Sequence, residues 1–254
     1  MTPAPGRAAR GATIVAREDL TPSIAFFRVL PDGETAPFAP GQYVTLGIQG
    51  ADGPIHRAYS VASSARRLQD GYELYVRLVP HGALTPLLFA ALAGQRVWLR
   101  PPKGRFVLGA DDDRVHLFVA TGCGIAPFMS MIRTLRDDGR PRRVILLHGV
   151  SYASELGYHD ELEELAADPG WRLVYVPTIS RPSDPANACW PGQHGRVEAV
   201  LREVCDTRGI LPSDAVAFLC GNPGMVTEGR SVLWRRGFAH EQIREEMYWP
   251  GTRR

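Results

Sequence analysis

Residues 120–132, Ala-Thr-Gly-Cys-Gly-Ile-Ala-Pro-Phe-Met-Ser-Met-Ile, carry the first chemically suggestive pattern. An apolar run of strand length leads into Thr121-Gly122-Cys123-Gly124, and Pro127 then opens a helix, where its missing N–H does no harm. Glycines let a ligand approach the backbone, and a helix start offers N–H groups to phosphate. The pattern is neither a G-x-G-x-x-G fingerprint nor a Walker loop, and an ordinary strand–turn–helix corner reads the same way. Cys220-Gly221-Asn222-Pro223-Gly224-Met225 ends a second strand and begins a second helix. Parallel sheets bind ligands beyond the carboxyl ends of their strands, so the two turns are compatible with one shared ligand site.

Earlier in the chain, Arg57-Ala58-Tyr59-Ser60 combines a guanidinium with an aromatic ring and a hydroxyl. Such a set suits an aromatic ring system with a phosphate tail, since Arg pairs with pyrophosphate while Tyr stacks. A plain strand with alternating faces is the other reading. His81-Gly82-Ala83-Leu84-Thr85 ends a strand and opens a helix with Thr85 placed as N-cap. The four cysteines, Cys123, Cys189, Cys205 and Cys220, form no C-x-x-C, and the seven histidines no H-E-x-x-H. No metal site is expected.

These segments need positioning by the elements around them. Ile24–Leu30, Tyr43–Ile48, Tyr72–Val79 and Arg96–Arg100 read as short strands between Gly/Pro turns, with a helix at about 85–93, which suggests an antiparallel β-barrel. From residue 115 strands alternate with helices, which implies a doubly wound parallel sheet. The boundary is expected near 110, giving domains 1–109 and 110–254. A length of 254 residues accommodates two modest domains, and 44% hydrophobic with 22% charged residues is a globular composition. No apolar run reaches the ~18 residues of a membrane span, and the N-terminus lacks an apolar signal core. A cytoplasmic protein without membrane partners is expected. The formal charge of +2 is too small for a nucleic-acid binder. Residues 1–109 hold 12 basic and 7 acidic side chains, the remainder 17 and 20, so the first part is basic.

In this order, Arg-Ala-Tyr-Ser, Gly-Ala-Leu-Thr, Thr-Gly-Cys-Gly-Ile-Ala-Pro, Cys-Gly-Asn-Pro-Gly-Met-Val and the terminal Glu-Glu-Met-Tyr-Trp resemble the ferredoxin–NADP reductase family, most closely its bacterial members, from about residue 12 onward. The resemblance implies an FAD-binding barrel followed by an NADP(H)-binding parallel-sheet domain. It implies that Arg57 binds the FAD diphosphate, Tyr59 stacks on the isoalloxazine and Ser60 bonds near N5, with Ala58 between them. Tyr75, Val76, Arg77 and Leu78 resemble the strand that holds the FAD tail, and Gly82, Ala83, Leu84 and Thr85 the diphosphate loop. Thr121, Gly122, Cys123 and Gly124 would approach the nicotinamide, and Gly221, Asn222, Pro223 and Met225 would close on it. Tyr248 would cover the flavin as a gate, Trp249 would pack by the adenine, and Glu246 would lie near the flavin. Ser60, Cys123, Glu246 and Tyr248 form the implied catalytic set. The tail Pro250–Arg254 runs beyond the point where relatives stop.

Ser180, Arg181 and Arg196 match positions that bind the NADP 2′-phosphate, as does Ser151, which stands where bacterial relatives often carry Arg; Val150 before it is also expected to bind NADP. The implied activity is hydride transfer between NADP(H) and FAD, with single electrons exchanged with a separate acidic carrier, ferredoxin or flavodoxin. That carrier would dock on the basic FAD-domain face, with Arg66, Arg67 and Arg105 as candidates, and a monomer is favoured. An NADH-dependent reductase component of an oxygenase or a free flavin reductase is the alternative on the same scaffold. A non-catalytic flavin sensor is a more remote one.

Overall fold

The computed structural model of the protein describes residues 9–109 and 112–249. Two compact units divide the chain: residues up to Leu108 together with Ala126–Asp138, and Gly109–Ile125 together with Gly139–Trp249.

Six strands make one antiparallel sheet in the first unit: β1 (Arg10–Thr21), β2 (Ile24–Pro31), β3 (Tyr43–Gly50), β4 (Gly53–Ser60), β5 (Tyr72–Arg77) and β6 (Arg96–Lys103). The four strands expected from composition are present, and β1 and β4 add to them. Alternation sends Ile14, Phe27, Val44, Leu46, Leu74, Val97 and Leu99 into one core, which α1 (Thr85–Ala90) joins through Leu88. The expected barrel is corrected here. The order β4-β3-β6-β1-β2-β5 leaves an open sheet with β4 and β5 at its edges. Between those edges lies a single bridge, Val61 with Leu74. Just past it Ala62 N–H still donates to Glu73 O of β5 at 2.8 Å, while the carbonyls turn to α2 (Ala126–Asp137): Ser63 O accepts from Ser130 Oγ at 2.8 Å and Ala62 O from Arg133 Nη1 at 3.1 Å. With its carbonyls turned to α2 rather than to β5, this stretch adds no further rung to the sheet.

The other unit holds β7 (Val115–Thr121), β8 (Val144–Val150), β9 (Leu173–Ile179), β10 (Gln193–His194), β11 (Ala215–Gly221) and β12 (Ile243–Met247), all parallel in the order β10-β9-β8-β7-β11-β12. Three helices belong to it: α3 (His159–Ala167), α4 (Val197–Thr207) and α5 (Pro223–Arg235). Leu117, Val119, Ile145, Leu147, Ala217 and Leu219 share one sheet face and pack with Val200, Leu201 and Val204 of α4 and Val226 and Leu233 of α5. Register puts Phe118, Leu146, His148, Tyr175, Phe218 and Cys220 on the opposite face. From β7 the chain builds outward through β8 to β10, then returns to place β11 and β12 on the other side. The order reverses at β7, so the crevice beyond the carboxyl ends of β7 and β11 is the topological switch point where such sheets bind ligands. Among the described residues no helix is long and apolar enough to cross a membrane, and no cluster of three or more His, Cys, Asp or Glu could hold a metal ion.

Candidate functional site

At the switch point the two glycine turns interlock. The segment after β7 is a 3-10 turn, Gly122–Ile125, with Gly122 at φ 50°. A Cβ on Gly124 would collide with the Cys220 carbonyl, so only glycine lets the turn lie against β11. Thr121 Oγ1 accepts from the Asn222 N–H at 2.9 Å. Asn222 caps α5 by accepting from Gly224 N at 2.8 Å, and Pro223 occupies the first helical turn. Behind the turn, Nε2 of fully buried His148 donates to the Gly122 carbonyl at 3.2 Å. Burial lowers the His148 pKa to about 4, so the ring stays neutral.

Strand β12 adds the C-terminal residues. Glu246 lies opposite Cys220, and Tyr248 N–H donates to Gly221 O at 2.8 Å. Burial first, then the nearby Glu246 charge, push the Cys220 thiol well up, while a hydrogen bond with the Tyr248 side chain opposes them. Cys123 is half-buried and Trp249 is exposed. Thr121, Gly122, Cys123, Gly124, Gly221, Asn222, Pro223, Glu246 and Tyr248 therefore gather around the ends of three adjacent strands. Met225 differs, because its side chain is buried in the α4–α5 core.

A second group forms at the ends of β8 and β9. Ser180 N–H donates to Val150 O at 2.9 Å, which sets Ser151 beside Ser180 and Arg181. The buried Asn187 amide donates to Ser151 O at 3.0 Å and Arg181 O at 2.8 Å, clamping both loops. Gly195 N–H donates to Ile179 O, which brings Arg196, the N-cap of α4, to the same end of the sheet. The Val150 side chain is buried in a small apolar cluster with Leu156 and Ile179. Sequence reasoning missed Tyr152, Asp184 and Asn187 here. Asp184 before Pro185 carried a capping signal, but nothing linked it to Arg181.

In the first unit Arg57 and Tyr59 project from the same face of the edge strand β4, since they are two residues apart. Ala58 is exposed, Ser60 is buried, and the Val61–Leu74 bridge draws this segment toward β5. Tyr75 stacks on Phe26 with centroids 4.8 Å apart, and Val76 and Leu84 are core side chains. Arg77 and Ala83 are exposed, while Leu78 and Gly82 are half-buried. Thr85 is the first residue of α1, one position past the expected cap. Its hydroxyl accepts from Val79 N at 2.9 Å and donates to Val79 O at 3.1 Å, pinning the turn that holds Gly82. A guanidinium, a phenol and a turn rich in backbone donors form a set whose chemistry fits a flavin carrying a diphosphate. Arg66 and Arg67 are not free charges. Each pairs bidentately with a carboxylate at the end of α2 or just past it, Arg66 with Asp138 at 2.6 and 3.0 Å and Arg67 with Asp137 at 3.1 and 2.9 Å. The Pro250–Arg254 tail lies outside the described residues.

Fold and site together define a two-unit flavin and nicotinamide nucleotide oxidoreductase, and comparison with known proteins agrees. Residues 11–108 match the oxidoreductase FAD-binding domain and residues 118–230 the oxidoreductase NAD-binding domain. The chain is 33% identical over 248 residues to ferredoxin–NADP reductase B of Sorangium cellulosum, covering 93% of this chain and 96% of that protein. It is 34% identical over 232 residues to the reductase component of phenol 2-monooxygenase from Pseudomonas sp. strain CF600, covering 91% of this chain and 63% of the relative. The chain thus spans less than two thirds of the monooxygenase electron-transfer proteins it matches. A crystal structure of a Neisseria gonorrhoeae ferredoxin NADP+ reductase with bound FAD and NADP superimposes with a TM-score of 0.82 at 27% identity, covering 95% of this chain and 99% of that one. The chain belongs to the ferredoxin–NADP reductase-like family of oxidoreductases, its two units matching that family's FAD-binding and NAD-binding domains.

Proposed function

We propose that the protein transfers hydride between NADP(H) and FAD and exchanges single electrons with ferredoxin or flavodoxin. The observation that carries this reading is the likeness, over nearly both full chains, to the Neisseria reductase holding FAD and NADP. FAD supplies the interconversion between a two-electron hydride and single electrons. The protein's part is to bind and orient. Residues 1–109 form the FAD-binding part in this reading and 110–254 the NADP(H)-binding part. Arg57 pairs with the diphosphate, Tyr59 stacks on the ring, and Ser60 hydrogen-bonds its N5 edge. The backbones of Tyr75, Val76, Arg77, Leu78 and of Gly82–Thr85 hold the tail. Thr121, Gly122, Cys123 and Gly124 present backbone and thiol to the nicotinamide, and Glu246 places a carboxyl group near the reacting ring. Tyr248 yields its place to the nicotinamide, and Ser180, Arg181 and Arg196 meet the 2′-phosphate. With Arg66 and Arg67 held by their own carboxylates, exposed Arg105 remains the candidate for an acidic carrier. A cytoplasmic location goes with this reading.

A second reading, the NADH-dependent reductase component of an oxygenase, draws on the 34% identity to the phenol 2-monooxygenase component. Uncharged Ser151 also favours weaker discrimination against NADH. Anaerobic addition of NADPH or NADH, followed by reduced ferredoxin assays, separates the two. Flavin bands that bleach faster with NADPH, and carrier-dependent turnover, support the first reading. Bleaching confined to NADH sinks it.

A further inference from the structure

We infer that the Asp184 carboxylate, two hydrogen bonds behind Arg181, sets the strength of the preference for a 2′-phosphorylated nucleotide; this rests on the reading of Arg181 as the 2′-phosphate residue. Arg181 is exposed, and a lone surface arginine spreads over many rotamers. Here it is held. Its guanidinium stacks over the Tyr152 ring, 5.2 Å from the centroid, and Nη1 donates to the Tyr152 hydroxyl at 2.6 Å. That hydroxyl in turn donates to Asp184 Oδ2 at 3.3 Å. The relay has one direction, from guanidinium through phenol to carboxylate.

The loops that carry these groups are fixed independently. Asp184 Oδ1 accepts from Ala186 N at 3.0 Å, capping the turn Pro185–Asn187, and Asn187 clamps Ser151 to Arg181. Tyr152 therefore works as a positioning residue that keeps Arg181 ready. Asp184 works against it, because its negative charge lies two hydrogen bonds from the guanidinium. A phosphate arriving there sits within a Debye length of that carboxylate. A nucleotide bearing only a 2′-hydroxyl feels no such repulsion. The two effects have opposite signs, so they can be separated.

The probes are 2′-phospho-AMP and AMP, titrated by calorimetry into the flavin-loaded protein at low salt. Asp184→Asn keeps an oxygen for the cap and removes the charge. It should raise the preference for 2′-phospho-AMP over AMP by about three- to tenfold, a gap that narrows as salt rises. Tyr152→Phe, which keeps the ring and removes the relay, should lower that preference several-fold. The NADPH-to-NADH ratio of kcat/KM should move in the same directions. If Asp184→Asn leaves the preference unchanged or lowers it while Arg181→Ala still abolishes it, Asp184 only caps its turn and the inference is overturned. If Arg181→Ala leaves the preference intact, the 2′-phosphate reading itself fails, and the inference falls with it.

Discussion

His148 and Gly122 are joined across neighbouring strands: the buried imidazole on β8 donates to the carbonyl that opens the turn after β7. The bond requires a proton on Nε2, while Nδ1 is buried with no hydrogen-bond partner. Charging this ring would place an unpaired cation in the sheet, which is why its pKa falls to about 4. His116, also buried and also lowered to about 4 chiefly by burial, adds to the effect. A depressed histidine contributes stability that is present above its unfolded pKa near 6.5 and lost as pH falls through it toward 4. The shift corresponds to roughly 3 kcal/mol for such a ring. Denaturant melts between pH 7 and 4 should show this loss. His148→Gln, whose amide can still donate to Gly122, should flatten part of the acid limb. An unchanged pH profile in that variant would assign the acid sensitivity elsewhere.

Gly124 tests the interlocked turns directly. Its missing Cβ is what lets the turn lie against the Cys220 carbonyl, and the atoms a Cβ would meet first are backbone of Cys220 and Gly221, so no side chain can swing away. Gly124→Ala should destabilise the second unit by about 1–3 kcal/mol and weaken NADP+ binding, because the turn must move off β11. Thermal melts and nucleotide titration check this. Wild-type values in both would show that the turn accommodates a methyl group.

Much of this site could be read in the sequence because glycine, proline and capping residues mark turns through local chemistry. Thr121–Gly124 and Gly221–Pro223 fall at strand ends for that reason, and the alternation of strands and helices after Val115 gave the parallel sheet. Closure of the first sheet could not be read. It depends on how far the backbone after Ser60 pairs with β5; that pairing goes no further than Val61 and Ala62, and the carbonyls of Ala62 and Ser63 go to Arg133 and Ser130, some seventy residues away. Pairing of Arg66 and Arg67 with Asp138 and Asp137 was hidden in the same way. Met225 read as a site residue because it stands in a site motif, yet its helical position turns it into the core. Long-range partners leave no local signal.

Arg57 lies on the edge strand with Nη1 donating to the neighbouring His56 carbonyl at 2.8 Å. That local bond orients the guanidinium and spares donors for a diphosphate. Arg57→Ala should lower FAD affinity by roughly 1.5–3 kcal/mol, about ten- to a hundredfold, with little change in folding of the second unit. Flavin occupancy after gel filtration in dilute buffer reads this out. Full occupancy in the variant would remove Arg57 from the proposed FAD site.

Tyr248 is proposed to compete with the nicotinamide for the flavin. Its backbone is tied to Gly221 and its side chain to the Cys220 thiol, so the ring starts from a held position. Binding the coenzyme then includes displacing it. An aromatic pair contributes about 0.5–1.5 kcal/mol beyond area burial, so Tyr248→Ser should tighten NADP+ binding several-fold or more. Tighter binding slows product departure, and kcat with ferredoxin should fall even as Kd improves. Tyr248→Phe separates the two ties: it keeps the competing ring but removes the hydroxyl from Cys220. The phenylalanine variant should therefore bind NADP+ more tightly than wild type and less tightly than the serine variant. A long-wavelength charge-transfer band on adding NADP+ should follow the same order. Equal binding in all three proteins, with no new absorbance, would show that Tyr248 is not the gate.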